Sequence, residues 1–231
     1  MGKPLRQWRS AAFFAVILLV PAAQSAISAT RDSSAMKRIL VLGDSLSAGF
    51  GLKSSQAWPA LVTEKLRATG LTNFEITNAS QTGGTTAGGL ERLPPHLKRK
   101  IDIFILELGI NDAFRGVPID TIRNNLQAII DQVKRRNPGA RVIICGMQLP
   151  NYNEDDYVFA FGQIYADLAA RNNATLIPYL LEGVGGDPNL NQPDHIHPNA
   201  AGQKILAENV WRVLEPIARG VATAGTAAHV P

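Results

Sequence analysis

IDIFILELG, residues 101–109, decides how the rest of this chain is read. Its apolar side chains fall on both parities, which leaves no face for water. A strand with that pattern belongs inside a parallel sheet covered on both sides. Four further runs share the character: KRILVLG (37–43), FEITNA (74–79), ARVIICGM (140–147) and ATLIPYL (174–180). Between them the apolar period becomes helical. Trp58, Leu61, Val62 and Leu66 share one face, with Pro59 suited to a first turn and Gly70 to the stop. Ile122, Leu126, Ile129, Ile130 and Val133 form a second stripe closed by NPG at 137–139, and Tyr157, Phe161, Ile164 and Leu168 form a third. Ala201, Ile205, Val210, Val213 and Ile217 suggest a last helix. The βαβ alternation predicts an α/β protein: a three-layer α/β/α sandwich with a five-stranded parallel sheet and right-handed crossovers.

The N-terminus has a different character. Lys3, Arg6 and Arg9 precede the apolar run AAFFAVILLV (11–20) and the small residues PAAQSAISA, which reads as a secretory signal over 1–28 with cleavage after Ser25 or Ser28. The run is short for a membrane-spanning helix. The expected domain covers 29–219, and the small, aperiodic stretch from 220 to 231 is expected to be a flexible tail. With 23 basic and 19 acidic residues the chain carries +4; removing 1–28 takes away three basic groups and leaves 20 − 19 = +1. The one dense basic run, LKRK at 97–100, reads as a solvated helix end, so no nucleic-acid partner is expected. Cys145 is the sole cysteine and sits in RVIICGM, which excludes an intrachain disulfide and suggests a buried thiol.

In an open parallel sheet, ligands bind outside the carboxyl ends of the strands. Four polar or glycine-rich segments fall there: GDSLSAGFG after the first strand, NASQTGGTTAGG after the second, GINDAFRG after the third, and DHIHPN (194–199) after the fifth. Ser45 can present its hydroxyl at the sheet edge as a nucleophile or simply cap a helix. The glycines at 83 and 84 allow a plain turn or a backbone N–H donor, whereas neither phosphate-loop spacing is present. Asn111 offers an uncharged amide donor. Asp44 and Asp112 are expected to tie down their own turns.

DHIHPN holds two of the four histidines. A His-x-His pair with Asp194 can bind a metal if the segment is an extended strand, but Pro198 follows at once. A dyad fits the segment better, with Asp194 reaching back to Nδ1 of His197 and leaving Nε2 to face a serine. On that reading His195 points toward the rim or solvent.

Together, GDS, the second-block glycine, GxND and DxxH, in that order, resemble the SGNH (GDSL) hydrolase superfamily over residues 37–217. GDSLSAGFG, AWPALV, NAS..G.T, LGIND..RG and HPN are especially similar to its bacterial secreted acyl-thioesterase, lysophospholipase and arylesterase group. The resemblance implies a flavodoxin-like sandwich, Ser45 as nucleophile, and Asp194 and His197 completing its triad. It also implies an oxyanion hole formed by the Ser45 and Gly83 N–H groups and the Asn111 side chain. Two departures concern the rim: relatives often carry Asp where this chain has Gly84, and Gly where it has His195. The implied activity is hydrolysis of carboxylic esters or thioesters through an acyl-enzyme, with no metal and no cofactor. The expected partner is a small ester or thioester substrate with an acyl chain, and the mature chain is expected not to insert stably in a membrane. A monomer is favoured, with the oligomeric state left open, and the location is secreted or periplasmic. A carbohydrate O-deacetylase and a non-catalytic envelope-binding module are the alternatives.

Overall fold

The computed structural model describes residues 35–150 and 156–227 together with the first two; the signal segment expected at 1–28 otherwise lies outside the described residues. In chain order the elements are β1 (Lys37–Leu42), α1 (Ser45–Ala48), α2 (Trp58–Ala68), β2 (Phe74–Asn78), α3 (Thr86–Arg92), β3 (Ile103–Leu106), α4 (Ile110–Phe114), α5 (Ile119–Arg136), β4 (Arg141–Cys145), α6 (Asp156–Asn172), β5 (Thr175–Ile177) and α7 (Ala200–Ala227). Short 3₁₀ turns occupy Ser54–Gln56 and Pro94–Lys98.

All five strands are parallel, in the order β2-β1-β3-β4-β5. The expected burial holds for the centre of the sheet. Every residue of β1 and β3 is buried, and β4 is buried after Arg141. The edges β2 and β5 are half-covered, because each has a neighbour on one side only. Helices cover both faces: α2 packs against α7 on one, while α3, α5 and α6 pack in series on the other. The five apolar residues expected on α5 are all buried. From β1 the chain moves outward to β2 and then crosses back to β3, so the direction of winding reverses between β1 and β3. A crevice opens at such a switch point, outside the strand ends.

Two expectations need correction. The buried stripe of α7 is Leu206, Ala207, Val210, Trp211, Leu214 and Ala218; Ile205, Val213 and Ile217 are only partly buried, and Ala201 is exposed. Two members of that stripe, Ala207 and Ala218, are alanines, which a count of large apolar residues passes over. The tail expected from 220 is also helical as far as Ala227, with Val221 and Ala222 packed on the core. An established helix propagates easily through alanine-rich sequence. Residues 228–231 lie outside the described residues.

Candidate active site

The site is built where β1 ends. Gly43 and Asp44 turn the chain into α1, and Asp44 Oδ1 caps that helix by accepting from the Leu46 N–H at 3.0 Å. Gly49, in the left-handed region at φ 74°, ends it after one turn. Asp44 is therefore the cap and Ser45 the first helical residue, nearly buried at 6 % exposure. The helix is locked from behind by α7: the buried Gln203 donates through Nε2 to Leu46 O at 3.0 Å and accepts through Oε1 from the Trp58 N–H at 2.8 Å.

The loop before α7 brings DHIHPN to the same place. Asn199 Oδ1 accepts from the N–H groups of Ala201 and Gly202, which starts α7. Asp194 Oδ1 accepts from the N–H groups of Ile196 and His197, both at 3.0 Å, and His195, between Asp194 and Ile196, is in the left-handed region at φ 58°. The loop turns tightly instead of running extended. Asp194 Oδ2 lies 2.7 Å from His197 Nδ1, and His197 Nε2 lies 3.0 Å from Ser45 Oγ. The backbone N–H of His197, followed by its ring bond, holds the Asp194 carboxyl down at about 2. An ionised carboxylate only accepts, so Nδ1 carries the proton and Nε2 offers its lone pair to the serine hydroxyl. The Phe50 ring lies against the imidazole at 4.5 Å between centroids. Gln192 ties the two loops together, donating to Phe50 O at 2.7 Å and to Pro198 O at 3.1 Å.

Both ring nitrogens of His197 are thus engaged, and His195 stands apart as an exposed residue on the cleft wall. Among the described residues, no three His, Cys, Asp or Glu side chains group as a metal site would require.

The second and third segments meet beside Ser45. Gly83, at φ 71°, is the third residue of a turn closed by the Gly84 N–H on Gln81 O at 2.9 Å, a place that requires a left-handed residue. Arg115 donates to Gly83 O at 3.3 and 3.4 Å, steadying that peptide. Asn111 Nδ2 donates to Asp44 Oδ2 at 3.0 Å and to Gly84 O at 3.2 Å, so protein acceptors hold the amide in place. Asp44 and Asp112 do more than tie their own turns. Asp44 reaches Asn111, and Asp112 accepts from the Thr86 N–H at 2.8 Å and the Thr86 hydroxyl at 2.6 Å, joining the third segment to the second.

A cleft of about 590 Å³ opens over Ser45 and His197, its wall carrying Leu46, Ile110, Phe114, Leu149 and Ile196. From the loop after β4, Gln148, Leu149 and Pro150 line it, while 151–155 lie outside the described residues. Cys145 is buried as expected, and burial pushes its thiol well up.

Sequence reasoning passed over Glu107, Gln192, Gln203 and Arg115 as site residues. Only Glu107 left a readable sign, a carboxylate interrupting an apolar strand run, since such a group is rarely buried without a partner.

Residues 41–205 match the GDSL-like Lipase/Acylhydrolase family. The chain is 41% identical over 187 residues to esterase TesA of Pseudomonas aeruginosa, covering 80% of this chain and 92% of that protein. It is 36% identical over 189 residues to thioesterase 1/protease 1/lysophospholipase L1 of Escherichia coli, covering 81% and 88%. Among solved structures, a crystal structure of TesA superposes with a TM-score of 0.74 at 41% identity, over 78% of this chain and 99% of the other. With the family match spanning most of its length and every polar segment at the strand ends that the sheet assigns it, this chain belongs to the GDSL-like lipase/acylhydrolase family, the SGNH hydrolases.

Proposed function

We propose that the chain is a serine hydrolase of carboxylic esters and thioesters in which Ser45 is the nucleophile, His197 the general base and Asp194 its orienting carboxylate. The observation that carries this reading is the continuous chain from Asp194 Oδ2 through His197 to Ser45 Oγ, at 2.7 and 3.0 Å, with His197 and Ser45 lining the cleft. As Oγ attacks the acyl carbon, its proton passes to Nε2, and the Asp194 carboxylate stabilises the imidazolium so formed. Negative charge then develops on the carbonyl oxygen. The N–H groups of Ser45 and Gly83 receive it, joined by Asn111 Nδ2 once the longer bond to Gly84 O gives way. His197 returns the proton to the departing oxygen or sulfur, leaving an acyl-serine. Water, deprotonated by the same imidazole, then releases the acid and restores Ser45.

The names of the relatives, an esterase and a thioesterase/lysophospholipase, support this chemistry. The apolar wall favours an acyl chain longer than acetyl, which argues against a sugar deacetylase. Phe114 and Ile196 stand on it at 57 % and 52 % exposure, a cost in water that an apolar chain laid across them would offset. Among the described residues, no helix is long and apolar enough to cross a membrane. The basic, apolar and small-residue order of the first 28 positions supports export to the periplasm or beyond.

The test is covalent labelling joined to a panel of p-nitrophenyl esters of graded chain length. Wild type takes one fluorophosphonate and prefers medium or long acyl chains, and Ser45→Ala loses both labelling and turnover with the fold intact. Full labelling of the variant removes Ser45 as nucleophile, and a preference for acetyl esters removes the acyl-wall reading.

A further inference from the structure

Glu107 follows β3 and is completely shielded from solvent at 0 % exposure, yet none of the steps above uses it. Its Oε2 accepts from the Asp44 N–H at 3.1 Å and from the Ser47 hydroxyl at 2.6 Å, and Ser47 Oγ in turn accepts from Trp58 Nε1 at 3.1 Å. Its other oxygen, Oε1, has no hydrogen-bond partner. Gly43 lies so close that a Cβ there would stand 2.5 Å from Oε2, and 2.7 Å from Ser47 Oγ. The carboxyl thus sits directly behind the turn that carries Ser45.

The charged and titratable groups facing it are few. Asp44 is the neighbouring carboxyl, itself fully buried, with Oδ1 on the Leu46 N–H and Oδ2 on Asn111 Nδ2. Among the described residues Arg92, on α3, is the one cation whose field reaches both carboxyls, and it spends its donors on carbonyls: Gly43 O at 2.7 Å and Ala79 O at 3.3 Å. Tyr165 on α6 and Cys145 on β4 also feel Glu107, and burial raises both well above their ordinary values. Two ionised carboxyls side by side in such a place repel, and the oxygen without a partner would be a buried charge without a donor. One proton held between them removes both costs.

We infer that Glu107 is a positioning residue that works as a neutral acid. Carrying the proton, its carboxyl meets that of Asp44 as a donor, while Oε2 holds the Asp44 N–H and the Ser47 hydroxyl. One side chain then fixes the turn that aims Ser45 and, through Asp44, the amide of Asn111. The charge distribution agrees: burial first, and the Asp44 charge second, push Glu107 well above the usual carboxylate range, while burial lifts Asp44 only to about 6 against the bonds it accepts. Near neutral pH the pair holds a single proton, on Glu107. The inference rests on Ser45 as nucleophile and Asn111 as oxyanion donor.

The experiment compares Glu107→Gln and Glu107→Ala in the full chain, with Ser45→Ala alongside, reading kcat, KM and the pH profile on one p-nitrophenyl ester. Glutamine reproduces the neutral acid, with a carbonyl in place of Oε2 and an N–H donor in place of the acid proton. It is expected to keep kcat within about threefold of wild type, whereas alanine loses about 10²-fold in kcat with KM little changed. Wild type should also lose rate at alkaline pH as Glu107 ionises beside Asp44, and Glu107→Gln should lack that limb. A glutamine variant as slow as alanine, an alanine variant with unchanged kcat, or an alkaline limb that persists in Glu107→Gln each overturns the inference. Where Glu107→Ala fails to fold, the glutamine pH profile decides alone. Turnover surviving in Ser45→Ala would instead bring down the nucleophile assignment, whatever Glu107 does.

Discussion

Two carboxyl systems flank Ser45, and they are opposites. Asp194 and His197 sit at the cleft mouth, where the Asp194 side chain keeps 37 % of its surface in solvent; Asp44 and Glu107 sit behind Ser45 with none exposed. At the mouth, hydrogen-bond donors dominate and the Asp194 carboxyl is held down at about 2. Behind the serine, burial dominates and Asp44 is lifted to about 6 in spite of its donors. The same functional group therefore serves as a permanent anion on one side and as half of a proton-sharing pair on the other. What separates them is access to water and the number of N–H donors, with no difference in chemical type. In the proposed mechanism the mouth pair takes up a transient positive charge. The rear pair is built to keep geometry constant.

The largest effect should come from breaking the mouth pair. His197→Ala is expected to lose at least about 10⁴-fold in kcat, as for removal of a base that acts as a unit with its serine, while His195→Ala keeps most activity and neither wild type nor His195→Ala responds to EDTA. Steady-state kinetics on both variants checks this. Equal loss in the two, with chelator sensitivity, would make the segment a metal site. A smaller loss should follow from cutting the link that the rear pair makes to the substrate side. Asn111→Ala is expected to lose about 10²- to 10³-fold in kcat with KM nearly unchanged, and an unaltered kcat would remove the amide from the oxyanion hole.

The smallest effect concerns stability against pH, where the two systems should differ in sign. Asp194 has a folded value below its unfolded one, so its contribution is present above about pH 4 and is lost as pH falls toward 2. Asp44 and Glu107 have raised folded values. Their contribution is complete below about pH 4 and is lost as pH rises through about 6 for Asp44 and higher for Glu107. Thermal melts across the pH range should show Asp194→Asn flattening the acid side alone and Glu107→Gln flattening the alkaline side, by about 5 °C. An alkaline slope unchanged in Glu107→Gln would mean that the rear carboxyls do not share a proton.

The amino-acid sequence by itself determined the layers and the location of the chemistry. Near-continuous apolar runs such as 101–109 have no stable place except a sheet covered on both faces, and the polar segments that follow them necessarily gather at the strand ends. The pairing of Asp194 with His197 instead of His195 was legible too, because a three-residue reach from Asp194 within a tight turn is a local constraint. Tertiary structure alone decided the rest. Glu107 is 60 residues from the hydroxyl it accepts from, Asn111 is 67 from the carboxylate that holds it, and Gln203 is 157 from the carbonyl it donates to. No periodicity encodes such pairs. The inner face of α7 likewise followed from where α2 packs against it, and the opposite pKa shifts of Asp194 and Asp44 from which of two identical side chains the fold sealed from water. Local pattern specifies which surfaces must be buried; which polar groups are buried with them, and against which partner, exists only once the elements have met.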